Sequence, residues 1–367
     1  MSSDAVASPA PGPNRAGPED DDPRDDRALE PPSRLAMWLK TRAAWVFVLD
    51  AGLVALFTAV TPNHVFWSTA NAQALLLAMS ETLLLALGLS MLLGAGIFDL
   101  SLGANLVLSA VVGATAVEQF QGVHGDASSY QNVVLAVLVG ALACVASGVL
   151  FGLVNGLVIA VGDVNSLIAT LATLGIGTGM AELIANGSDV AGMPVSLQTN
   201  IGLRRVVGIP VPALAGLAAL VVLWAVVRWC RYGLRVQAIG SSRSAAERAG
   251  IRVRLHLVSL TILAGGMAGV AGFIDLSRFG ATSLSGHSND ALNAVTAAVI
   301  GGTLLEGGSI SIIGTLWGAA LAVILQSGLV LSGVSSFWQL IVTGFVLLLA
   351  VLLDRVAMAR RAHGHGK

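Results

Sequence analysis

The feature that most constrains this chain is a series of apolar stretches that begins near residue 44 and continues almost to the C-terminus. A water-soluble fold could not cover this much apolar surface, because 55% of the residues are hydrophobic and only 11% are charged. Each stretch is predicted to be a helix, since unpaired backbone groups are not tolerated in hydrocarbon. The predicted fold class is all-α: a polytopic integral membrane protein with about ten transmembrane or partly re-entrant helices. The stretches are 44–62, 71–97, 103–117, 132–160, 164–185, 205–228, 255–275, 291–304, 309–331 and 336–353.

Several stretches are shorter than the roughly 20 residues that a full crossing needs. We expect those at 103–117, 164–185 and 291–304 to be the broken or partly re-entrant ones. Glycine-rich interruptions at 94–103 and 301–308 also indicate broken helices, one in each half of the chain.

Charge and proline divide the chain into three parts. The first 33 residues hold seven of the eleven prolines and eight acidic residues, a composition that predicts a disordered tail. The predicted domains are an acidic, Pro-rich cytoplasmic tail at 1–40, a transmembrane domain at 41–354 and a basic cytoplasmic tail at 355–367. Within the transmembrane domain, a long basic loop at 228–254 is also predicted to be cytoplasmic.

The basic residues predict the orientation, because Lys and Arg next to membrane helices stay on the cytoplasmic side. They cluster before the first stretch, in the central loop and at the C-terminus, and six and then four crossings separate these clusters. Both termini are therefore predicted to be cytoplasmic, and the adjacent Arg204 and Arg205 fall on the opposite side. The clusters are Arg34, Lys40 and Arg42; Arg228, Arg231, Arg235, Arg243, Arg248, Arg252 and Arg254; and Arg355, Arg360 and Arg361.

Glycines recur inside the apolar stretches, where small residues let helix backbones approach closely. We therefore expect them to mark tight helix–helix contacts. They are Gly148, Gly152 and Gly156; Gly175, Gly177 and Gly179; and Gly265, Gly266, Gly269 and Gly272.

The sequence lacks the patterns of an ATPase or an enzyme. Its only lysines, Lys40 and Lys367, do not follow a phosphate-binding glycine loop. The six histidines show no ligand spacing apart from a terminal His-Gly-His, so we predict no metal site, and we find no catalytic constellation. Cys144 and Cys230 are expected at different depths, which argues against a disulfide.

Polar residues inside apolar stretches are the better functional signal, because each is costly in lipid and must face a partner or a water-filled cavity. Hydrogen bonding between helices explains most such residues. Asp99 and Asn155 are the strongest exceptions. The candidate translocation path consists of Asp99, Ser101, Asn155, Asn293 and Glu306, and the other buried-polar candidates are Asp50, Glu81, Glu182 and Asp275.

The central loop contains a helix-compatible segment from Ser241 to Ile251. A serine followed by a short Ala/Glu/Arg run and then Gly250 is typical of a surface helix. The loop either serves only as a topology signal or provides a surface on which a cytoplasmic partner acts.

Five separated segments resemble, in the same order, the permeases of ribose-type ABC importers, a family grouped with the branched-chain amino-acid permeases. The resemblance runs from about residue 71 to Asp354. Its segments are Gly-Ala-Gly-Ile-Phe-Asp-Leu-Ser-Leu-Gly at 94–103; Gly-Leu-Val-Asn-Gly at 152–156 with Asn-Ser-Leu-Ile-Ala-Thr at 165–170; the loop at 231–251; Ala297 to Gly308 with Gly314-Thr315; and 333–336 with Leu-Leu-Asp at 352–354.

This resemblance implies a permease subunit in the bacterial cytoplasmic (inner) membrane that imports a monosaccharide or a similar small polar solute by alternating access. It implies two ABC ATPase subunits, an extracytoplasmic solute-binding protein, a second permease copy or similar paralogue, and membrane lipid as partners, with no nucleic acid. ATP and Mg²⁺ would reside on the ATPase subunits, and this chain would bind no cofactor. The coupling helix implied by the resemblance comprises Ser241, Ser242, Arg243, Ala245, Ala246, Glu247, Arg248, Gly250 and Ile251.

The chain departs from the family pattern at four positions: Phe98, Arg248, Asn293 and Glu306. Alternative readings are a branched-chain amino-acid or nucleoside ABC permease, or an ion-coupled secondary transporter that uses the acids Glu81, Asp99 and Glu182.

Overall fold

The computed structural model describes residues 42–121 and 132–335, and between 337 and 352 it describes 337–339, 341, 342, 344–346, 348 and 352. The predicted tails at 1–40 and 355–367 lie outside the described residues. The described part is almost entirely helical. Its α-helices are α1 (Arg42–Val60), α2 (Thr69–Gly94), α3 (Leu102–Gln121), α4 (Val133–Ala160), α5 (Ser166–Ile184), α6 (Val211–Trp229), α7 (Arg231–Ser241), α8 (Arg243–Arg248), α9 (Val253–Phe279), α10 (Asp290–Ile300) and α11 (Ile312–Leu331).

Short elements connect some of these helices. A 3₁₀ helix, Pro62–Trp67, joins α1 to α2. Before α6, a helical turn at Val195–Leu197 runs into a π-helical turn at Gln198–Gly202. A two-residue hairpin follows, in which β1 (Arg205–Val206) pairs antiparallel with β2 (Ile209–Pro210).

Eight of the described helices are long and apolar enough to cross a membrane: α1 to α6, α9 and α11. Two shorter apolar helices, α10 and Phe337–Val346, account for the remaining two predicted stretches. The all-α, polytopic membrane fold is thus confirmed. The sixth stretch was predicted to begin at 205, but its helix begins at Val211, because the hairpin occupies 205–210.

The predicted helix breaks are only partly correct. The stretches 103–117 and 164–185 form continuous helices of 20 and 19 residues, so the prediction of broken helices there is wrong. The stretch 291–304 does contain a short helix, since the 11 residues of α10 extend only about 16 Å. Both glycine-rich interruptions are non-helical: the first break, residues 95–101, separates α2 from α3, and the second break, residues 301–311, separates α10 from α11.

Helices α2, α3 and α9 form the centre of the bundle, whereas α1, α4 and α6 expose most of their surface. Many of the largest side chains of the core are leucines of α2, such as Leu84, Leu87 and Leu92, which are almost completely buried. Leu142 on α4 and Leu183 on α5 are 70% and 78% exposed. Large apolar side chains are thus exposed on the outside of the bundle, as expected where lipid rather than water covers the outer surface.

Glycines join α4 to α9. A Cβ atom at Gly152 would overlap the carbonyl of Thr261, and one at Gly148 would overlap the carbonyl of Gly265. The predicted tight contacts are therefore confirmed for this helix pair. They are wrong for Gly175 and Gly179, which have no atom within 4 Å of a Cβ because they lie on the exposed part of α5. The two cysteines are free, with Cys144 buried and Cys230 exposed.

Candidate functional site

The first break is held by a buried network of three polar side chains. Asp99 Oδ1 accepts hydrogen bonds from the Ser101 amide at 2.8 Å and from Ser101 Oγ at 2.6 Å. Asn155 Nδ2, from α4, donates to Ser101 Oγ at 2.8 Å. Each residue is at most 3% exposed, and Asn155 Oδ1 has no hydrogen-bond partner. The structure thus brings together three of the five path candidates at the start of α3.

Two hydroxyls of α5 bind the irregular backbone of the same break. The Phe98 amide donates to Ser166 Oγ at 3.2 Å, and the Leu100 amide donates to Thr170 Oγ1 at 3.3 Å. An unpaired backbone amide inside the protein would be costly, so these hydroxyls stabilise the non-helical conformation. Sequence reasoning noted the segment 165–170 but did not select Ser166 or Thr170. Their spacing of four residues, on one face of a helix, was the available signal.

The second break is held in a similar way by three buried hydroxyls. Ser90 on α2 lies 2.7 Å from Thr315 Oγ1 on α11 and 3.5 Å from Thr303 Oγ1 within the break. Thr303 Oγ1 also accepts from the Ser311 amide at 3.1 Å. All three hydroxyl residues are fully buried. Both breaks are therefore defined conformations rather than frayed helix ends.

The other two path candidates do not belong to this network. Asn293 is half-buried on α10, and Glu306 is exposed within the second break. Their role in a path stays a prediction. Glu182, named in the ion-coupled reading, is exposed near the end of α5.

A cluster of ionisable groups, which sequence reasoning did not assemble, lies where α9 ends. Arg278 Nη1 is 3.4 Å from Glu81 Oε1, and His287 lies 3.3 Å from Asp275 Oδ1 and 2.7 Å from Asp290 Oδ2. We call these five residues the ionic cluster. Among the described residues, no group of three or more His, Cys, Asp or Glu side chains is arranged to hold a metal ion.

His287 belongs to the connection between α9 and α10, outside the membrane-spanning helices. Burial lowers its pKa, but hydrogen bonds from its ring and the negative charges of Asp275 and Asp290 outweigh this effect and raise the pKa to about 10. The imidazole is therefore protonated at neutral pH. In that form it pairs with Asp275 of α9 and Asp290 of α10, and these pairs hold the connection against both helices.

A groove of about 720 Å³ lies between α1 and α11. Phe47 and Trp317 line it and contact each other edge-on, with ring centroids 4.7 Å apart. Asp50 lines the groove, is 4% exposed and has no hydrogen-bond partner.

The segment 241–251 forms the predicted surface helix, α8. Ser242 caps its start, where Oγ accepts from the Ala245 amide at 3.3 Å. The segment reverses after α8 through Gly250, whose φ of +79° is the left-handed conformation that glycine adopts readily. Ala246 is buried and Ile251 packs against the core, which anchors one face of the segment. The other residues predicted for coupling are exposed: Ser241, Ser242, Arg243, Ala245, Glu247, Arg248 and Gly250.

A second short helix, α7, precedes α8 and was not predicted. Its buried residues Gly233, Val236 and Ile239 recur every three positions, which was the signal available in the sequence. Tyr232 joins α7 to α9, because its hydroxyl lies 2.7 Å from Ser259 Oγ and its ring stacks on His256. The seven arginines between 228 and 254 are all exposed, so this end of the bundle is strongly basic.

Comparison with known proteins gives consistent matches over most of the chain. The sequence profile of a family described as "Branched-chain amino acid transport system / permease component" matches residues 71–351. The ribose import permease protein of Bacillus subtilis (strain 168) is 37% identical over 265 residues, which cover 71% of this chain and 77% of that protein.

Two relatives from Escherichia coli (strain K12) align over more of the chain. Its ribose import permease protein is 32% identical over 86% of this chain and 94% of its own length. Its D-allose transport system permease protein is 31% identical over 84% of this chain and 90% of its own length. No solved structure gives a significant match.

Proposed function

The chain belongs to the family of permease components of the branched-chain amino acid transport system type, and from this premise we propose that it is the membrane-spanning subunit of an ABC importer for a monosaccharide or a similar small polar solute. The observation that carries the proposal is the 37% identity to a ribose import permease over 71% of the chain. A second relative is named for D-allose, so a monosaccharide is the solute class these names share.

The chain's part in such an importer is to change shape, while separate subunits hydrolyse ATP. We assign ATPase contact to α8 and its flanks, because that segment is exposed on one face and anchored by Ala246 and Ile251 on the other. A helix held in this way can transmit a displacement to the rest of the bundle, because its buried face prevents it from rotating freely. ATP and Mg²⁺ belong on the partner subunits in this proposal.

The proposed translocation path passes the first break. Hydroxyl, carboxylate and amide groups suit the hydrogen bonding of a sugar, and Asp99, Ser101 and Asn155 supply all three. In this conformation they bind one another and are buried, which fits a closed path. Alternating access would expose them by moving the break, and Asn293 and Glu306 would line other parts of the route.

The full complex in this proposal contains two permease copies or a pair of similar permeases, two ATPase subunits and a solute-binding protein outside. Both termini and the loop 228–254 face the cytoplasm. The ionic cluster lies at the far end of α9 from α8. Because α9 has 27 residues and is about 40 Å long, this cluster would lie towards the extracytoplasmic side.

An ion-coupled secondary transporter is the weaker reading. Two of its three acids have partners inside the protein: Glu81 contacts Arg278, and Asp99 binds Ser101. The third, Glu182, is exposed near a helix end. None of them is positioned as an unoccupied ion-binding carboxylate along a path.

The experiment that tests the proposed function is co-purification with candidate ATPase subunits and a candidate solute-binding protein from the same organism. The tagged chain is isolated in nanodiscs, and ATP hydrolysis is measured with binding protein loaded with ribose, galactose, allose or arabinose. We expect a stable complex whose hydrolysis rises with one sugar. A chain that purifies alone and transports in proteoliposomes without ATP would instead establish the secondary transporter.

The assignment of α8 has a separate test, Gly250→Arg. A Cβ at Gly250 meets nothing within 4 Å, so the arginine would protrude from the proposed docking face and prevent ATPase binding. Gly208→Arg is the matched control, because Gly208 has a similar φ of +82° and similar open space but lies in the hairpin turn before α6. Deletion of 243–248 should reproduce the Gly250→Arg result, with membrane insertion intact. Normal ATPase recovery with both α8 variants would remove the assignment.

A further inference from the structure

Three segments of backbone meet at the end of α7. The Gly308 amide, in the second break, donates a hydrogen bond of 3.0 Å to the carbonyl of Gly94, the last residue of α2. Gly240, near the end of α7, packs against both groups. Gly307 and Gly308 have φ values of +91° and +83°. The second break therefore reaches Gly94 and Gly240 in a backbone conformation that glycine adopts at little cost. We call the contact of Gly94, Gly240, Gly307 and Gly308 the glycine joint.

No side chain separates the three segments at this point. A Cβ at Gly240 would overlap the Gly94 carbonyl oxygen and lie 2.5 Å from the Gly308 nitrogen. A Cβ at Gly307 would lie 2.9 Å from the Cα of Gly240. Because backbone atoms touch backbone atoms, no rotamer change can absorb a displacement here. A shift of one segment must move the other two or break the contact.

Each of the three segments is adjacent in sequence to a part of the molecule that has a role in the proposed transport cycle. Gly240 stands two residues before Ser242, the cap of α8. Gly94 ends α2 immediately before the first break, which contains Asp99. Gly308 belongs to the second break, whose other side is fixed by Thr303. The glycine joint is thus the place where the chain leading into the proposed ATPase-contacting segment touches the second break and the residue that precedes the first break.

We propose that Gly240 is a positioning residue for energy coupling, and that the glycine joint transmits the ATP-driven displacement of α8 to both helix breaks at once. This inference rests on the proposed function, because it takes α8 as the ATPase contact. It goes beyond that function by naming the route. A single contact moves the Asp99 network and the second break together.

The test is Gly240→Ala in the complete importer with its ATPase and binding protein. The methyl group should separate the three segments without touching the surface that binds the ATPase. We expect normal co-purification and unchanged basal hydrolysis. The stimulation of hydrolysis by loaded binding protein, and solute uptake, should fall by about 2- to 30-fold, the range found when mutations alter coupling between sites.

The matched control adds a methyl group at Gly94, a member of the same glycine joint, on the side that faces Ile310. The three atoms nearest to a Cβ at Gly94 all belong to the side chain of Ile310, so the pair Gly94→Ala with Ile310→Ala should leave the backbone contact intact. This pair should retain the ratio of stimulated to basal hydrolysis. A purely structural role for the glycines would lower the yield of both variants and leave that ratio unchanged in the complex that forms. Wild-type coupling in Gly240→Ala would overturn the proposal.

If Gly240→Ala fails to assemble, a measurement on the wild-type complex tests whether the glycine joint transmits the displacement. Hydrogen–deuterium exchange is compared between the nucleotide-free complex and the complex trapped with ATP and vanadate. We expect residues 95–101 and 301–311 to change their exchange together with 241–251. A change confined to 241–251 would refute the joint. Absence of any ATPase complex with the wild-type chain would instead refute the proposed function, so the two failures are distinguishable.

Discussion

Buried and half-buried hydroxyl and amide side chains in this protein bind backbone and one another where helices stop. Ser166 and Thr170 accept from amides of the first break, and Thr303 accepts from an amide of the second. In hydrocarbon an irregular backbone needs such partners, since water cannot supply them. Polar residues in apolar stretches therefore have a structural role here before any transport role is considered.

Asp99 provides the clearest test of this role. Asp99→Ala removes the acceptor of two hydrogen bonds from Ser101 and leaves buried donors unpaired. We expect the free energy of unfolding to fall by about 2 kcal/mol or more. Denaturant unfolding of the purified chain in mixed micelles measures this loss. Glu182→Ala, which removes an exposed carboxylate, should change it little, and equal losses would contradict the network.

His287 predicts a pH dependence of stability. Its pKa is about 10 in the folded protein against 6.5 without partners, so its contribution is complete below about pH 6.5 and is lost as the pH rises through about 10. The free energy of unfolding should therefore decrease over that interval. His287→Gln should make the decrease shallower, because glutamine does not titrate. Parallel curves for the two proteins would mean that His287 does not hold the ionic cluster.

At the scale of elements, the contact of α4 with α9 depends on glycines that face each other. Gly148 and Gly152 bring backbone within contact of Gly265 and Thr261. Membrane helices gain little from hydrophobic burial against lipid, so close backbone packing becomes the main attraction between them. The same residue type on an exposed helix surface contributes no such contact.

Two alanine substitutions distinguish glycines at a helix–helix contact from glycines on an exposed helix surface. Gly152→Ala places a methyl group on the Thr261 carbonyl and should lower the melting temperature of the purified chain. Gly175→Ala meets no atom within 4 Å and should leave it unchanged or raise it, because alanine favours a helix over glycine by about 1 kcal/mol. Thermal unfolding followed by circular dichroism compares the two. A larger loss for Gly175→Ala would contradict the packing described here.

At the scale of the whole molecule, α9 connects the two ends of the bundle. The end that carries α7 and α8 is basic, whereas Arg205, Val206 and Val207 of the hairpin lie near the other end, where Gly202 contacts the backbone of Ser277. An odd number of crossings between the hairpin and α8 would place them on opposite sides of the membrane. Helix α6 is the crossing between them.

Single cysteines report this orientation. Cys230 is exposed and is first replaced by serine, whereas Cys144 is buried. Val207→Cys, at a position that is 97% exposed, should react with a membrane-impermeant maleimide in spheroplasts. Arg243→Cys should react only in inverted vesicles. The reverse pattern would show that the predicted orientation of the chain is wrong.

The candidate site was only partly accessible to sequence reasoning. Asp99, Ser101 and Asn155 could be selected because each polar residue is costly in an apolar stretch, and the structure brings them together. Asn293 and Glu306 satisfied the same criterion but take no part in that hydrogen-bond network. The ionic cluster was missed, because its members come from α2, α9, α10 and a connection that only folding brings together.

The sequence by itself determined the class of fold, the approximate positions of the long apolar helices, the two interruptions and the surface helix α8. These depend on local properties: the length of an apolar stretch, the conformational freedom of glycine and the capping of a helix by serine. Only the tertiary structure decided which glycines are packed, which polar residues are partners and that the two breaks meet at Gly240. Those depend on which faces of distant helices come into contact, and the pattern along one helix does not specify the helix that packs against it.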